Sequence, residues 1–366
     1  MADYTTIDDP SVYFQANAYT GNGSDDHAIT NGGNSDLQPD IIWIKERDNS
    51  GAHSLHNTMG SISLFLEPNA TSANAFDTTT VKSVQSDGFT LGTESNHNQS
   101  STDYIAWQWK VNGGTTSSNT DGDLTTTVQV NQTAGISIFT YTGLDPIEPL
   151  DLGHGLGAVP EFFFIKKTNS GTARNWGLYH KDMAATPQNN YLRLNSANAV
   201  AAASTWWRNE APTSTIIKTG EQADVNQPSD TFVCYAWKSV QGFSKYGKYT
   251  GNGDATNGPF IYTGFSPAWV MIKNADTAAR PWYMFDNKRR TFNPNGSILK
   301  ADTSDAEATD QAIDMLSNGF KVRPDSLGSF GTSSLNHSGQ TIIYMAFAQH
   351  PFVTSTSANS IPTTAR

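Results

Sequence analysis

Three copies of one short apolar pattern limit what this chain can fold into. Residues 39–45 read PDIIWIK, residues 160–166 PEFFFIK and residues 267–273 PAWVMIK. Each is a proline, five mostly apolar residues and a lysine. A Tyr-Thr-Gly opens each copy, at 19–21, 141–143 and 249–251, and its glycine precedes the proline by 18, 17 and 16 residues. A closing segment follows in each: YIAWQWK, FVCYAWK and IIYMAFA. Its last large aromatic (Trp109, Trp237, Phe347) lies 64, 71 and 74 residues past Lys45, Lys166 and Lys273. Matched motifs kept in one order at near-constant spacing mark an internal triplication.

Each copy reads as β structure. Ile105, Trp107 and Trp109 alternate with Ala106 and Gln108, and the same alternation returns in Val233, Tyr235 and Trp237 and in Ile343, Met345 and Phe347. A period of two with the large residues on one side is a strand with one face in a core. The PxxxxIK segment is apolar on both faces, which predicts a central strand covered on both sides. Its proline stands at the strand entry, where a missing N–H costs little. Its lysine is expected to mark where the chain leaves the core.

The expected fold class is mainly β, with three tandem homologous antiparallel β-sandwich (jelly-roll-like) domains at 16–112, 133–240 and 241–353. An N-terminal docking arm at 1–15 precedes them and a tail at 354–366 follows. Residues 113–132, rich in Gly, Ser, Thr and Asn, are expected to be a linker with at most one edge strand. Little more than SVQGFSKYGK separates Trp237 from Tyr249, which predicts a rigid pair of second and third repeats with the first more independent. DAEATDQAIDMLSNG at 305–319 predicts helical turns, with Ala308, Ile313 and Leu316 on one face and Gly319 as the stop.

The chemistry-bearing residues form no recognisable constellation. Cys234 is the single cysteine, so no internal disulfide is possible, and it alternates with core residues as a small buried hydrophobe. His154 in GHGLG sits between glycines just before a core strand and reads as a turn residue. His53 and His56 lie three apart in SGAHSLHN, with no Cys, Asp or Glu at matching spacing for a metal. Asp121-Gly122-Asp123 opens like a calcium loop but lacks the later glutamate, which leaves a loosely held Ca²⁺ as an open alternative. Asp8-Asp9 and Asp25-Asp26 read as solvated turns rather than a glycosidase pair. The expectation is a non-enzymatic protein with no catalytic residue, no metal and no cofactor. A net charge of −11 without a basic block argues against nucleic acid as partner. No apolar run has the length of a membrane span, and MADYTTIDDP carries acid where a signal peptide needs base. Synthesis in a cytoplasm, without membrane insertion, is expected.

The blocks YFQ..AYTGNG, NSDLQPDIIWIK, SVQSDGFTLG, AGISIFTYTG, LGHGLGAVP, QGFSKYGKYTGNG, GPFIYTGFSPAWVMIK, FDNKR and MAFAQHPF resemble an uncharacterised family of tandem-repeat virion proteins of tailed bacteriophages, mostly marine. The resemblance runs from about Tyr4 to Phe352 in block order. It implies a phage structural protein, of the kind labelled tail or virion protein, located in the virion after synthesis in the host cytoplasm. It carries over no catalytic residue. The second repeat departs locally, with LDPIEPLDL where a GNG turn is expected.

Two binding roles follow as expectations. In the first, the chain is a tail fibre or tail-associated adhesin that reads a host surface polysaccharide. Sugar CH faces stack on aromatic rings, and the candidate platforms are Trp206-Trp207 in ASTWWRNEAP and Trp282-Tyr283 in ARPWYMFDNKRR. In the second it is a capsid decoration or connector that binds only other virion proteins. A homo-oligomer in the particle is expected in either case. The N-terminal arm supplies Tyr4, Ile7, Tyr13 and Phe14 as assembly residues, docking on a neighbouring subunit or on the first repeat; an equal alternative is the first strand of that repeat.

Overall fold

The computed structural model describes residues 4–145, 147–323 and 334–354, and the chain folds there into antiparallel sheets with only short helical turns. The three apolar motifs form the central strands Ile41–Glu46, Phe162–Lys167 and Phe265–Asn274. On one side each pairs with the closing strand of its own repeat, Asp103–Trp109, Thr231–Trp237 or Thr341–Pro351. On the other it pairs with the third strand, Ser54–Asn57, Gly177–His180 or Tyr283–Asp286. The Tyr-Thr-Gly motifs end the opening strands Phe14–Thr20, Ile136–Thr142 and Ser244–Thr250, which take the free edge of the closing strand. The fourth strands are Leu64–Leu66, Asn190–Arg193 and Asn295–Lys300.

All three large sheets therefore share the order opening, closing, central, third, fourth. The register agrees too. Ile41, Phe162 and Trp269 face Trp109, Trp237 and Phe347, which makes Trp43, Phe164 and Met271 equivalent. Smaller elements cover the second face of each sheet. The first repeat has a three-stranded sheet of His27–Thr30, Gly88–Leu91 and Val81–Gln85. The second pairs Leu150–Gly153 with Ile216–Thr219. In the third repeat Phe260–Tyr262, Gly319–Val322 and Ala308–Leu316 join the main sheet through Asn295–Lys300, giving eight strands that curl almost into a barrel.

Two expectations about local structure are overturned. Residues 305–319 do not form a helix: Ala308–Leu316 is a strand between Asn295–Lys300 and Gly319–Val322. Ile313 and Met315 face Val322 and Phe320 across a tight turn at Ser317-Asn318, so the period of two in IDM outweighs the helical spacing of 308, 313 and 316. The segment 113–132 is not a mere linker. Ser117–Asn119 and the β-branched run Thr126–Asn131 extend the second sheet outward from Ile136–Thr142. The expected tail falls outside the described residues from 355 onward.

Both faces of the central strands are apolar because each sheet is covered twice. Ile42 and Ile44 pack with Phe89, Leu91 and Val81 of their own repeat. Ile41 and Trp43 turn the other way, into one cluster that takes residues from all three repeats. There Phe14 stacks on Phe347 at 5.0 Å, Trp109 meets Trp269 edge-on at 5.8 Å, and Phe162 stacks on Tyr246 at 5.7 Å. The first repeat is therefore not independent of the other two, contrary to the reading of the long join.

Hydrogen bonds close the three repeats into a ring. The residue just before each third strand is His53, Trp176 or Trp282. Trp43 Nε1 donates to His53 Nδ1 (2.9 Å), so His53 carries its proton on Nε2 and donates to the Lys300 carbonyl of the third repeat (2.9 Å). Trp282 Nε1 donates to the Arg193 carbonyl of the second repeat (3.0 Å), and Trp176 Nε1 to the Glu67 carbonyl of the first (3.0 Å). Arg193 and Lys300 face Gly177 and Tyr283, and Glu67 continues the Leu55–Leu66 register to face Ser54, so the three acceptors are equivalent. A second set runs the opposite way round. Asn57 Nδ2 donates to Tyr235 Oη (2.7 Å), His180 Nε2 to the Tyr344 carbonyl (3.2 Å), and Asp286 accepts from Trp107 Nε1 (3.1 Å). Asn57, His180 and Asp286 are again equivalent, each the last residue of its third strand. Contacts of one unlike-face type that return to their start form a closed cyclic assembly, here within one chain.

The N-terminal arm fastens this ring. Tyr4 Oη donates to the Gly264 carbonyl (2.7 Å), Thr5 Oγ1 to the Gln241 carbonyl (2.6 Å), and Tyr13 lies edge-on to Phe243. Ile7 is buried, and Phe14 is the first residue of the opening strand. The arm thus docks mainly on the third repeat of its own chain, because the closing strand there ends beside the start of the first sheet. Trp176→Phe and Trp282→Phe should each cost about 1–3 kcal/mol, since each leaves a buried carbonyl without its donor. Urea unfolding measures this, with the exposed Phe292→Ala as a control expected within about 0.5 kcal/mol. Two indole variants that match the control would show that the ring contributes nothing.

Candidate functional site

The lysines of the three motifs do not leave the core. Lys45, Lys166 and Lys273 are fully buried. Lys45 Nζ donates to the Glu46 carbonyl (2.5 Å), Lys166 Nζ to that of Arg174 (2.5 Å), and Lys273 Nζ to those of Arg280 and, across the seam, Ala197 (3.1 Å). Loss of hydration lowers all three ammonium groups to about 8. Carbonyl-capped lysines at equivalent positions hold the loop after each central strand. Burial likewise lowers His53 and His56 to about 3, and His154 and His180 to about 4.

The expected glycan platforms are buried as well. Trp206 and Trp207 are each 1% exposed, on the helical turn Ser204–Trp207. Trp206 stacks on Tyr191 at 4.2 Å, and Trp207 meets Phe163 edge-on at 5.0 Å. They cover the second face of a sheet whose small partner sheet has only two strands, so no ring face is left for a sugar. Trp282 is 2% exposed and bonded across the seam, and Tyr283 Oη pairs with Ser334 Oγ (3.2 Å). Asp121 and Asp123 carboxylates accept from Asn119 Nδ2 and the Asp151 N–H, as turn residues do. Among the described residues no three His, Cys, Asp or Glu side chains group to hold a metal.

What remains accessible lies along the opening strands. Each repeat has a gap between its opening strand and one strand of its second layer: His27–Thr30, Leu150–Gly153 or Phe260–Tyr262. In the second repeat the gap is filled by Thr126–Asn131, paired along Ile136–Thr142 and tied on its other side by Thr126 Oγ1 to the Gly153 carbonyl (2.7 Å). That inserted strand also reaches the neighbouring repeat, where Gln129 Nε2 donates to Thr58 Oγ1 (3.1 Å). In the first repeat Gln15 and Asn17 bridge the gap, to the Ser35 carbonyl (2.7 Å) and the Thr30 carbonyl (2.7 Å). Gly33 packs against Gln15 so closely that a Cβ there would lie 2.5 Å from its amide.

In the third repeat Lys245 crosses the gap, its Nζ donating to the Tyr262 carbonyl (2.7 Å) and lying 5.4 Å over the Tyr262 ring, and Tyr4 of the arm closes one end, its Oη 3.4 Å from Tyr262 Oη. A cavity of 380 Å³ remains, lined among others by Lys181, Asp182, Lys245, Lys248, Phe260 and Tyr262. Phe260 and Tyr262 are each 48% exposed. Sequence reasoning missed them. The signal was present in FIY, where a single inward Ile261 sits between two outward aromatics.

Residues 9–351 match the family described as a domain of unknown function, DUF7483, and the chain belongs to that family. No curated protein and no solved structure matches it.

The buried titratable groups set the response to pH. Histidines held below their unfolded value of about 6.5 bind fewer protons folded than unfolded, so stability is full above pH 6.5 and falls as pH drops toward 4. Each contributes about 1.4 kcal/mol per pH unit across that window. The lysines act in the same sense between about 8 and 10.5, where stability rises with pH until buried tyrosines, whose ionisation is pushed up, oppose it. Calorimetry should therefore show a midpoint lower at pH 5 than at pH 7, and Lys45→Met should flatten the rise between pH 8 and 10. A midpoint that does not change from pH 4.5 to 9 would contradict neutral buried histidines and lysines that lose their proton early because they are buried.

Proposed function

We propose that this chain is a non-enzymatic structural protein of a bacteriophage virion, a decoration or connector that works by binding other particle proteins. Its three tandem β-sandwich domains act as one body, a trimer-like ring made from a single chain. The observation that carries this reading is the pair of cyclic hydrogen-bond sets at the three seams, with an arm that straps the ends together. A chain without disulfides gains from such closure the rigidity that a particle component needs outside a cell. The likeness of its sequence blocks to tandem-repeat virion proteins points the same way.

The adhesin reading loses ground because its four proposed contact residues, Trp206, Trp207, Trp282 and Tyr283, lie inside the fold. Loops on a rigid β scaffold still suit recognition, but the partner is then another protein surface rather than a sugar stacked on those rings. Particles of the encoding phage, purified with and without the gene, test this. The expected result is the chain present in purified virions at a fixed copy number, with particles lacking it less stable or misassembled and adsorption to host cells unchanged. Stable particles that lack the chain and fail to adsorb, together with glycan binding by the purified protein, would replace this reading with the adhesin.

A further inference from the structure

We infer that the open gap of the third repeat, between Ser244–Thr250 and Phe260–Tyr262, binds an extended acidic β-strand from another protein chain. The pseudo-symmetry shows what such a gap accepts. Its counterpart in the second repeat holds Thr126–Asn131, antiparallel to the opening strand and tied to the second-layer strand. Thr140 faces Thr127 across that ladder, and Lys248 is the residue equivalent to Thr140. The backbone of Lys248 points the right way. Ala348 N–H donates to the Phe243 carbonyl and Tyr246 N–H donates outward to Ser239 Oγ, so even-numbered residues of this strand turn their N–H and C=O away from the closing strand. Ser244 and Tyr246 already use theirs on Val240 and Ser239, which leaves the open stretch of the edge at Lys248 and Thr250. An edge with outward donors and acceptors is a template for one more strand.

Charge and shape select the occupant. Lys245 and Lys248 rim the gap on a chain whose net charge is −11, beside Lys181, whose charge is shared with Glu161 and Asp182, so the rim carries more base than acid on an acidic protein. Lys245 occupies it as a placeholder, and its flexible side chain can swing from the Tyr262 carbonyl to a carboxylate of the incoming strand. The half-exposed Phe260 and Tyr262 would cover apolar side chains on the strand's inner face. The inference stands on the fold alone and holds whether or not the virion reading does.

Fluorescence anisotropy on the full-length protein tests it, using a labelled peptide of alternating Thr, Val and Glu. Controls are a peptide of equal charge with proline at every second position and an acidic oligosaccharide, polygalacturonate. Saturable binding of the alternating peptide is expected, with at least tenfold weaker binding of the proline peptide. Lys248→Pro, which keeps the ladder to the closing strand, should weaken binding at least tenfold, and Lys248→Ala only a few-fold. Lys245→Glu, which does not touch the backbone, should shift preference to a peptide with Lys in place of Glu. No binding of the alternating peptide, equal binding of the proline peptide, or displacement by polygalacturonate with Lys248→Pro indistinguishable from wild type would each overturn the inference.

Discussion

The structure depends on aromatic faces that no single repeat can bury alone. Phe14, Ile41, Trp43, Trp107 and Trp109 of the first repeat leave their own small sheet behind them and turn toward the other two repeats. A fully buried large apolar side chain contributes roughly 1.5–3 kcal/mol. Exposing these five would remove on the order of 10 kcal/mol, comparable with the whole net stability of a typical domain. The seams are therefore part of the core. The hydrogen-bond ring accompanies this packing: where the faces meet, the N–H groups of His53, Trp107, Trp176 and Trp282 find acceptors across the seams, while the indole N–H groups of Trp109 and Trp269 pack without one.

The pseudo-symmetry is broken where the seams carry charge. Between the first and third repeats, Arg289 and Asp286 are both fully buried and paired at 2.6 Å, and Arg47 and Arg289 share Glu307. Asp286 also accepts from Trp107, so one carboxylate joins packing, charge and ring closure. Removing either partner would strand a buried charge, which makes this seam the most specific of the three. The second repeat keeps its ion network, Arg208 and Lys218 with Asp151 and Glu210, inside the repeat, and meets the first through the inserted strand Thr126–Asn131, where Gln129 bonds Thr58. The same scaffold thus carries three different edges.

Much of the sheet architecture was legible because a strand's period of two survives any tertiary context. The prolines, the Tyr-Thr-Gly turns and the alternating closing segments placed the first two central strands within a residue; the third begins at Phe265, so Pro267 lies inside it, at a bulge, and not at its entry. The apolar character of both faces of IIWI and FFFI already implied two layers of cover; that one of the two covers was the other repeats was not legible. The lysines misled because their carbonyl cages come from loops, and for Lys273 from Ala197 in another repeat. Trp206-Trp207 misled for a related reason: a pair of tryptophans in a polar stretch looks exposed unless the missing third strand of its small sheet is known. The gap beside Ser244–Thr250 was invisible for want of any motif, since it is defined by what fills the same place one repeat earlier.

Differential scanning calorimetry of the full chain tests the shared core most directly. A common core with no self-sufficient repeat predicts one endotherm whose van't Hoff enthalpy equals the calorimetric enthalpy, as for a single cooperative unit. Two or three resolved transitions, or a fragment of residues 16–112 that unfolds cooperatively by itself, would contradict it.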